Sequence, residues 1–503
     1  MFRIFGPPGT GKTSSLLDMV DKALASGMNP QKIAFLAFTR KAANEAKERA
    51  AKRFGLDPKE DLIYFRTLHS LAYRSLSIRS EQIMSRGHYA DLSSKVGIEL
   101  QGSVLSEHDD TLGSVASDHP ILALINLARL KKTDLRKEYN QSQLQHTWFE
   151  VDYVARSYQK FKEVNGLLDY TDMLEMFVKE KDSCPEFDLC MLDEAQDLSP
   201  MQWDIAHKLD AHSKKMYCAG DDDQAIYLWA GADYNHFIHL DGDAEVLQQS
   251  YRIPHSVHSL ADKIVKRISN RFPKTYLPRQ QKGKVDRIVD MSNLDMSDGS
   301  WLILTQANYM MNPLVDELKT KGLLFERNNA RSIPEKLSIA VNGWERLRHG
   351  NTIDLKTAET IYSYMTGNNI KIARGCKKLK PLPDNLDEVF TFDLLVKHHG
   401  LLAKREEIWH QAMDRIPDVD RAYVTALLRS GEKFNAKPRI KMSTIHGSKG
   451  GEADNVVLFT DLSTAAMQQN TDDLHRVFYV GVTRTKENLY LVEPQDVNKG
   501  YII

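Results

Sequence analysis

The segment Gly6-Pro7-Pro8-Gly9-Thr10-Gly11-Lys12-Thr13 fills every required position of a phosphate-binding loop, and only five residues precede it. Met1–Phe5 reads as a short apolar strand. Ser14 onward reads as a helix with Leu16, Leu17, Val20 and Leu24 on one face. Strand–loop–helix is the context the motif requires, so the chain opens as an α/β unit. Glycines let the loop wrap a phosphate with its backbone N–H groups at the positive end of the helix dipole. Lys12 is placed to reach terminal phosphates and the Thr13 hydroxyl to bind Mg²⁺. Gly6 to Ser14 thus form the expected nucleotide-binding segment.

The 503 residues suffice for two to four domains, and 42% hydrophobic with 27% charged residues is ordinary for a globular chain. A net charge of −1 gives no global attraction to nucleic acid, so any such binding must use local basic surface. Cys184, Cys190, Cys218 and Cys376 lack zinc-ligand spacing and point to a reducing compartment. With no run of 18 apolar residues and no secretory leader ahead of the loop, a cytoplasmic location without membrane contact is expected.

A second acidic element completes a nucleotide-hydrolysis pattern. Phe187-Asp188-Leu189-Cys190-Met191-Leu192 leads into Asp193-Glu194. Asp193 at a strand end can hold Mg²⁺, and Glu194 can polarise the attacking water. After Met216-Tyr217-Cys218 comes Ala219-Gly220-Asp221-Asp222-Asp223-Gln224. The twelve-residue calcium-loop spacing is missing, which disfavours a Ca²⁺ site. Gln224 is neutral, donates and accepts, and suits a sensor of the terminal phosphate.

Gly220–Ala232, reading GDDDQAIYLWAGA, closely resembles motif III of the UvrD/Rep/PcrA family of superfamily-one helicases. Ala37–Ala43 resembles motif Ia, Thr67–Ala72 motif Ib, Leu192–Asp197 motif II and Gln249–Arg252 motif IV. Ser443–Glu452 resembles motif V and Tyr479–Arg484 motif VI. The resemblance implies an α/β fold of two RecA-like P-loop domains, parallel sheets flanked by helices, each with a mainly helical insertion. The first core would be residues 1–75 and 166–250, with insertion 1B at 76–165. The second would be 251–334 and 438–503, with insertion 2B at 335–437.

By the same resemblance, Lys12, Thr13, Asp193, Glu194 and Gln224 come from the first core, and Arg252, Glu452 and Arg484 from the second. Arginine's fixed fork can stabilise charge developing on a transferred phosphoryl group. Glu452 would bind the ribose, and Tyr251 would stack on the adenine. Single-stranded DNA would lie on Phe38, Tyr227 and Trp229 through base stacking. Thr39, His69, Thr444 and His446 would touch the sugar–phosphate track. Tyr227-Leu228-Trp229 alternates in strand fashion directly after the phosphate sensor.

Residues 76–165 and 335–437 read as helical. The basic stretch Lys377-Lys378-Leu379-Lys380-Pro381 is equally a guide for duplex DNA or a solvated helix end. Trp301–Thr305 reads as a strand. Several positions depart from the family pattern. No glutamine-containing segment precedes the loop to read adenine, Ser14 replaces a frequent arginine, and Gly451 stands where a leucine is general. Use of nucleotides other than ATP is therefore an open expectation. The nineteen residues after Arg484 leave no room for an appended nuclease in this sequence.

The leading reading is an ATP- and Mg²⁺-dependent DNA helicase that moves along single-stranded DNA, 3′ to 5′ by resemblance, and acts at single/double-strand junctions. It would work as a monomer or through transient self-association, with room for an accessory protein partner. A translocase that displaces proteins without unwinding, and a non-catalytic nucleic-acid-binding scaffold, are the alternatives. The intact set Lys12, Thr13, Asp193, Glu194, Gln224, Arg252 and Arg484 argues against the scaffold.

Overall fold

Strands buried on both faces of a parallel sheet need near-continuous apolar runs, and the chain supplies them. The computed structural model describes residues 1–503 apart from 38, 103–117, 380–388, 435 and 470. Phe2–Phe5 (β1), Ile33–Ala37 (β2), Phe65–Thr67 (β3), Leu189–Leu192 (β4), Met216–Gly220 (β5) and Ala244–Val246 (β6) form a six-stranded sheet. Its order is β3-β2-β4-β5-β1-β6. All its neighbours are parallel, with Ile4 opposite Ala219 and Phe35 opposite Met191. Every residue of β2 and β4 is buried. In such sheets ligands bind beyond the carboxyl ends of the strands, where the phosphate loop, Asp193 and Asp221 all lie.

Three helices follow the first strands: Lys12–Ala25 (α1), Arg40–Phe54 (α2) and Leu68–Ser75 (α3). Leu16, Leu17 and Val20 of α1 are buried as the spacing predicts, whereas Leu24 is only half-buried. Thr39 and Thr67 cap α2 and α3 by accepting from the N–H groups of Ala42 and Ser70, satisfying donors that a helix start leaves open.

This sheet belongs to one of two compact units, comprising Met1–Lys284, Gln468–Glu487 and Ile503; the other comprises Val285–Met467 and Asn488–Ile502. The described part of 76–165 is helical, as expected, with helices at Arg86–Val96, Pro120–Leu130, Leu135–Gln141 and Trp148–Asn165. It has its own apolar cluster, including Tyr89, Leu92, Ile121, Val151 and Phe161.

A buried ionic network ties this insertion to the helix Tyr170–Lys179. Lys162, 2% exposed, donates to Asp169 at 2.5 Å and Asp172 at 2.6 Å. Arg129 reaches Asp169, Asp172 and Glu175 at 2.8, 2.5 and 2.9 Å. Burial opposes the charge on Asp169, but Arg129 and Lys162 outweigh it and hold the carboxyl well below its ordinary range.

The second unit is built on Lys284–Ile288 (β7), Trp301–Thr305 (β8), Phe325–Arg327 (β9) and Ala330–Arg331 (β10), then Ile440–Thr444 (β13), Ala453–Phe459 (β14) and Thr485–Val492 (β15). These strands run in the order β10-β9-β13-β8-β14-β15-β7. Between them Ile353–Asp354 (β11) and Val389–Phe390 (β12) form a small antiparallel pair that the helical patterning of 335–437 does not foretell. The described rest of that segment is mainly helical. Its buried Trp344, Tyr362 and Trp409 share one apolar cluster with Ile303, Phe325, Met442 and Val457 of the sheet. Lys380 and Pro381 lie outside the described residues. Among the described residues, no helix is long and apolar enough to cross a membrane.

Candidate nucleotide site and nucleic-acid contacts

The phosphate loop leaves the carboxyl end of β1 and ends at Gly11, whose φ of +80° starts α1. Thr10 pins the turn by donating from Oγ1 to the Pro7 carbonyl at 2.8 Å. Lys12 donates to the Gly6 carbonyl at 2.8 Å, so its ammonium arches back over the loop. A Cβ on Gly6 would lie 1.9 Å from Lys12 Cγ, so a side chain there would force the Lys12 stem out of its place over the loop. Gly9 has φ +71°, and a Cβ on it would meet Arg252 Cβ at 2.4 Å. Ser14 is exposed.

The motif IV segment is laced to this loop. Ser250 Oγ donates to the Pro8 carbonyl and the Tyr251 N–H to the Gly9 carbonyl, both at 2.8 Å. Tyr251 is 74% exposed, which leaves its ring available for stacking. These bonds account for a difference from the expected division: Arg252 packs in the first unit, because the two residues before it, Ser250 and Tyr251, satisfy carbonyls of the loop.

Thr13 Oγ1 donates to Asp193 Oδ2 at 2.6 Å, and the Glu194 N–H bonds Asp193 Oδ1 at 2.9 Å. Burial, then the adjacent Glu194 charge, pushes the Asp193 carboxyl up to about 6. A hydroxyl and a buried, repelled carboxylate at one point form a donor set that suits a hard cation such as Mg²⁺. Glu194 adopts the left-handed region at φ 56°, uncommon for a residue with a side chain and frequent at functional sites.

From β5, Gly220 leads into the acidic cluster. Gln224 donates to Asp221 Oδ2 at 2.5 Å and accepts from Arg484 Nη2 at 2.7 Å. Arg484, 2% exposed, also donates through Nε to the Val480 carbonyl at 3.0 Å. It therefore lies in the first unit, not with Glu452, which is exposed in the second.

Asp221, Asp222 and Asp223 converge closely enough to hold a cation, but a lysine already serves. Lys274 Nζ stands 3.1, 2.5 and 2.7 Å from the three carboxylates, and Arg271 forks onto Asp223 at 2.8 and 2.7 Å. Burial opposes the Lys274 charge, yet the carboxylates outweigh it and raise its pKa. Arg476, fully buried, donates to the carbonyls of Asp222 and Asn270 at 3.0 and 2.6 Å. Sequence reasoning missed Lys274, Arg271 and Arg476, because nothing local marks a cation destined for a carboxylate some fifty residues away, or, for Arg476, for backbone carbonyls more than 200 residues away.

Among the proposed DNA contacts, Trp229 is 48% exposed, whereas Tyr227 is buried at 9%. Their rings meet at 6.3 Å and 71°. The expected strand alternation is not what forms: Leu228–Ala230 is a 3₁₀ turn closed by Gly231 at φ +93°. Bonds from Ala230 and Gly231 N–H groups to the Tyr227 and Leu228 carbonyls, each 2.9 Å, replace strand pairing.

Thr39 is half-buried and its hydroxyl caps α2. His69 packs edge-on to Tyr170, and burial, then Arg40, lowers its pKa to about 4. In the second unit, Thr444 Oγ1 accepts from the Gly447 N–H at 3.1 Å. Burial, then Lys449, lowers the His446 pKa to about 4. Both histidines are therefore neutral hydrogen-bonding groups near pH 7. Phe38 lies outside the described residues.

Along most of its length the chain is similar to known helicases. The UvrD/REP helicase N-terminal domain matches residues 2–245, and the UvrD-like helicase C-terminal domain matches residues 440–492. The ATP-dependent DNA helicase PcrA of Bacillus subtilis (strain 168) is 23% identical over 96% of this chain and 79% of its own length. A DNA helicase II homologue of Rickettsia felis is 24% identical over 97% of this chain and 89% of its own. The PcrA of Leuconostoc citreum is 26% identical over 72% of this chain and half of its own. With the phosphate loop, the acid pair and the sensor glutamine in one parallel-sheet unit and both family domains matched, this chain belongs to the UvrD/Rep helicase family.

Proposed function

We propose that this protein is an ATP-dependent DNA helicase that translocates 3′ to 5′ along single-stranded DNA and separates duplex at junctions. The observation that carries the reading is the 2.6 Å contact of Thr13 with Asp193, beside Glu194 at the carboxyl end of a parallel strand. Lys12 draws negative charge toward the loop, and its ammonium exchanges the Gly6 carbonyl for the terminal phosphate. Mg²⁺ held by Thr13 and Asp193 would neutralise charge on the phosphates. Glu194 accepts a proton from water as its oxygen bonds to the terminal phosphorus and the bond to the ADP oxygen breaks. Gln224 and Arg484 sense and stabilise the terminal phosphate, and Arg252 adds positive charge beside Gly9.

Tyr251 stacks on the base of the nucleotide, and Glu452 holds the ribose. Trp229 provides the stacking surface for a DNA base, with Tyr227 supporting it from beneath. Thr39, His69, Thr444 and His446 follow the sugar–phosphate track. In this reading the protein works in the cytoplasm as a monomer or through transient self-association, with room for an accessory protein partner. The test is ATP-dependent unwinding of matched duplexes with a 3′ or a 5′ single-stranded tail, with Lys12→Ala as control. Unwinding of the 3′-tailed substrate alone supports the proposal. Strand-stimulated hydrolysis without unwinding of either would make the protein a translocase only, and unwinding from the 5′ tail would reverse the polarity.

A further inference from the structure

Gln196 is fully buried in the 3₁₀ turn Ala195–Asp197 that follows Glu194. Its amide nitrogen donates to Glu194 Oε2 at 2.6 Å and to Asp197 Oδ2 at 3.1 Å. Its amide oxygen accepts from the Asp221 N–H at 2.8 Å. Both ends of one rigid amide are therefore committed, one to the acidic turn after β4 and the other to the turn after β5. From Asp221 the bonds continue to Gln224 and on to Arg484. Gly220 makes room for this bridge, since a Cβ there would lie 2.6 Å from Gln196 Oε1 and 3.0 Å from the Phe237 ring.

We infer that Gln196 is a positioning residue that holds Glu194 in its hydrolytic orientation and links that orientation to the phosphate-sensing turn. The inference rests on the proposed role of Glu194 as the base. A carboxylate with one oxygen fixed by an amide presents the other in a defined direction. Any shift of Asp221, as Gln224 and Arg484 engage a terminal phosphate, moves the Gln196 acceptor and so the donor that fixes Glu194. An amide suits this task because it donates to an acid and accepts from an N–H with no charge of its own. A methionine at this position would fill the space and do neither.

The experiment measures DNA-stimulated ATP hydrolysis by Gln196→Met, Gly220→Ala and their combination, with Glu194→Gln as control. Melting temperatures identify the folded variants. The expected result is a fall in kcat of about 10- to 100-fold for each single variant, with KM for ATP within about threefold. The double variant should be no worse than the more severe single, because both break one bridge. A folded Gln196→Met with kcat within about twofold of wild type, or losses that multiply in the combination, would overturn the inference. If Gln196→Met does not fold, Gly220→Ala alone decides by the same split of kcat and KM. Normal hydrolysis by Glu194→Gln would instead remove the proposed base, a failure distinct from that of the bridge.

Discussion

Arg484 Nη2 donates to Gln224 Oε1 at 2.7 Å in a buried setting, although the two residues lie 260 positions apart. Truncation to Arg484→Ala takes away a charged donor and deprives Gln224 of this partner. The rate of DNA-stimulated hydrolysis should fall about 10²- to 10³-fold, while nucleotide affinity changes little. Lysine should rescue poorly, since a point charge cannot reproduce the fork that reaches both Gln224 and the Val480 carbonyl. Steady-state kinetics with a fluorescent-nucleotide titration separates the two effects. A loss of affinity matching the loss of rate would make Arg484 a binding residue.

Lys274→Met should be the most destabilising of these substitutions. It leaves three buried carboxylates without their shared cation, and removing one partner of a buried ion pair costs about 3–5 kcal/mol. Burial already pushes Asp222 up to about 6 with Lys274 present. Because the folded state then binds a proton that the unfolded carboxyl releases, the Asp222 contribution favours folding as pH falls from about 6 toward the unfolded value near 4. The variant should therefore melt closer to wild type at pH 5 than at pH 7. A gap that widens on acidification would contradict the assignment.

Trp229→Ala should weaken single-stranded DNA binding by about 1–3 kcal/mol, roughly 5- to 150-fold in affinity, if one base stacks on the ring. Hydrolysis without DNA should be unaffected, as the side chain is half exposed. Fluorescence anisotropy with a labelled oligonucleotide provides the affinity. Equal losses with and without DNA would indicate a structural tryptophan.

Thr13→Ala removes the hydroxyl that meets Asp193. The Mg²⁺ concentration for half-maximal hydrolysis should rise by about tenfold or more, by analogy with loss of a supporting ligand. A magnesium titration at saturating ATP is sufficient. An unchanged midpoint would remove Thr13 from the cation site.

Much of this site was legible because its parts are local. Strand, loop and helix at Phe2–Ala25, and the strand Trp301–Thr305, are written in apolar runs and glycines within a few residues. Tyr227-Leu228-Trp229 misled because three residues of alternation are too few to fix a period, and Gly231 supplies the turn that prevails. Arg252 could not be placed from its motif, since its position depends on Ser250 and Tyr251 satisfying carbonyls of a loop about 240 residues earlier. Lys274 and Gln196 were harder still. Lys274 meets Asp221, Asp222 and Asp223 from about fifty residues away, and Gln196 gains the Asp221 N–H only once β4 and β5 lie side by side; neither spacing nor composition records those neighbourhoods.

The network of Lys162 and Arg129 has a consequence for engineering. Both cations are supplied by the 76–165 segment, whereas Asp169, Asp172 and Glu175 belong to the helix that returns to the sheet. Replacing that segment by a short linker would strip Asp169 and Asp172 of Lys162 and Arg129 and leave Glu175 with Lys179, at the start of a helix packed against α3. A minimal version of this protein would need those acids rewritten together with the deletion, so the segment cannot be exchanged as an independent module.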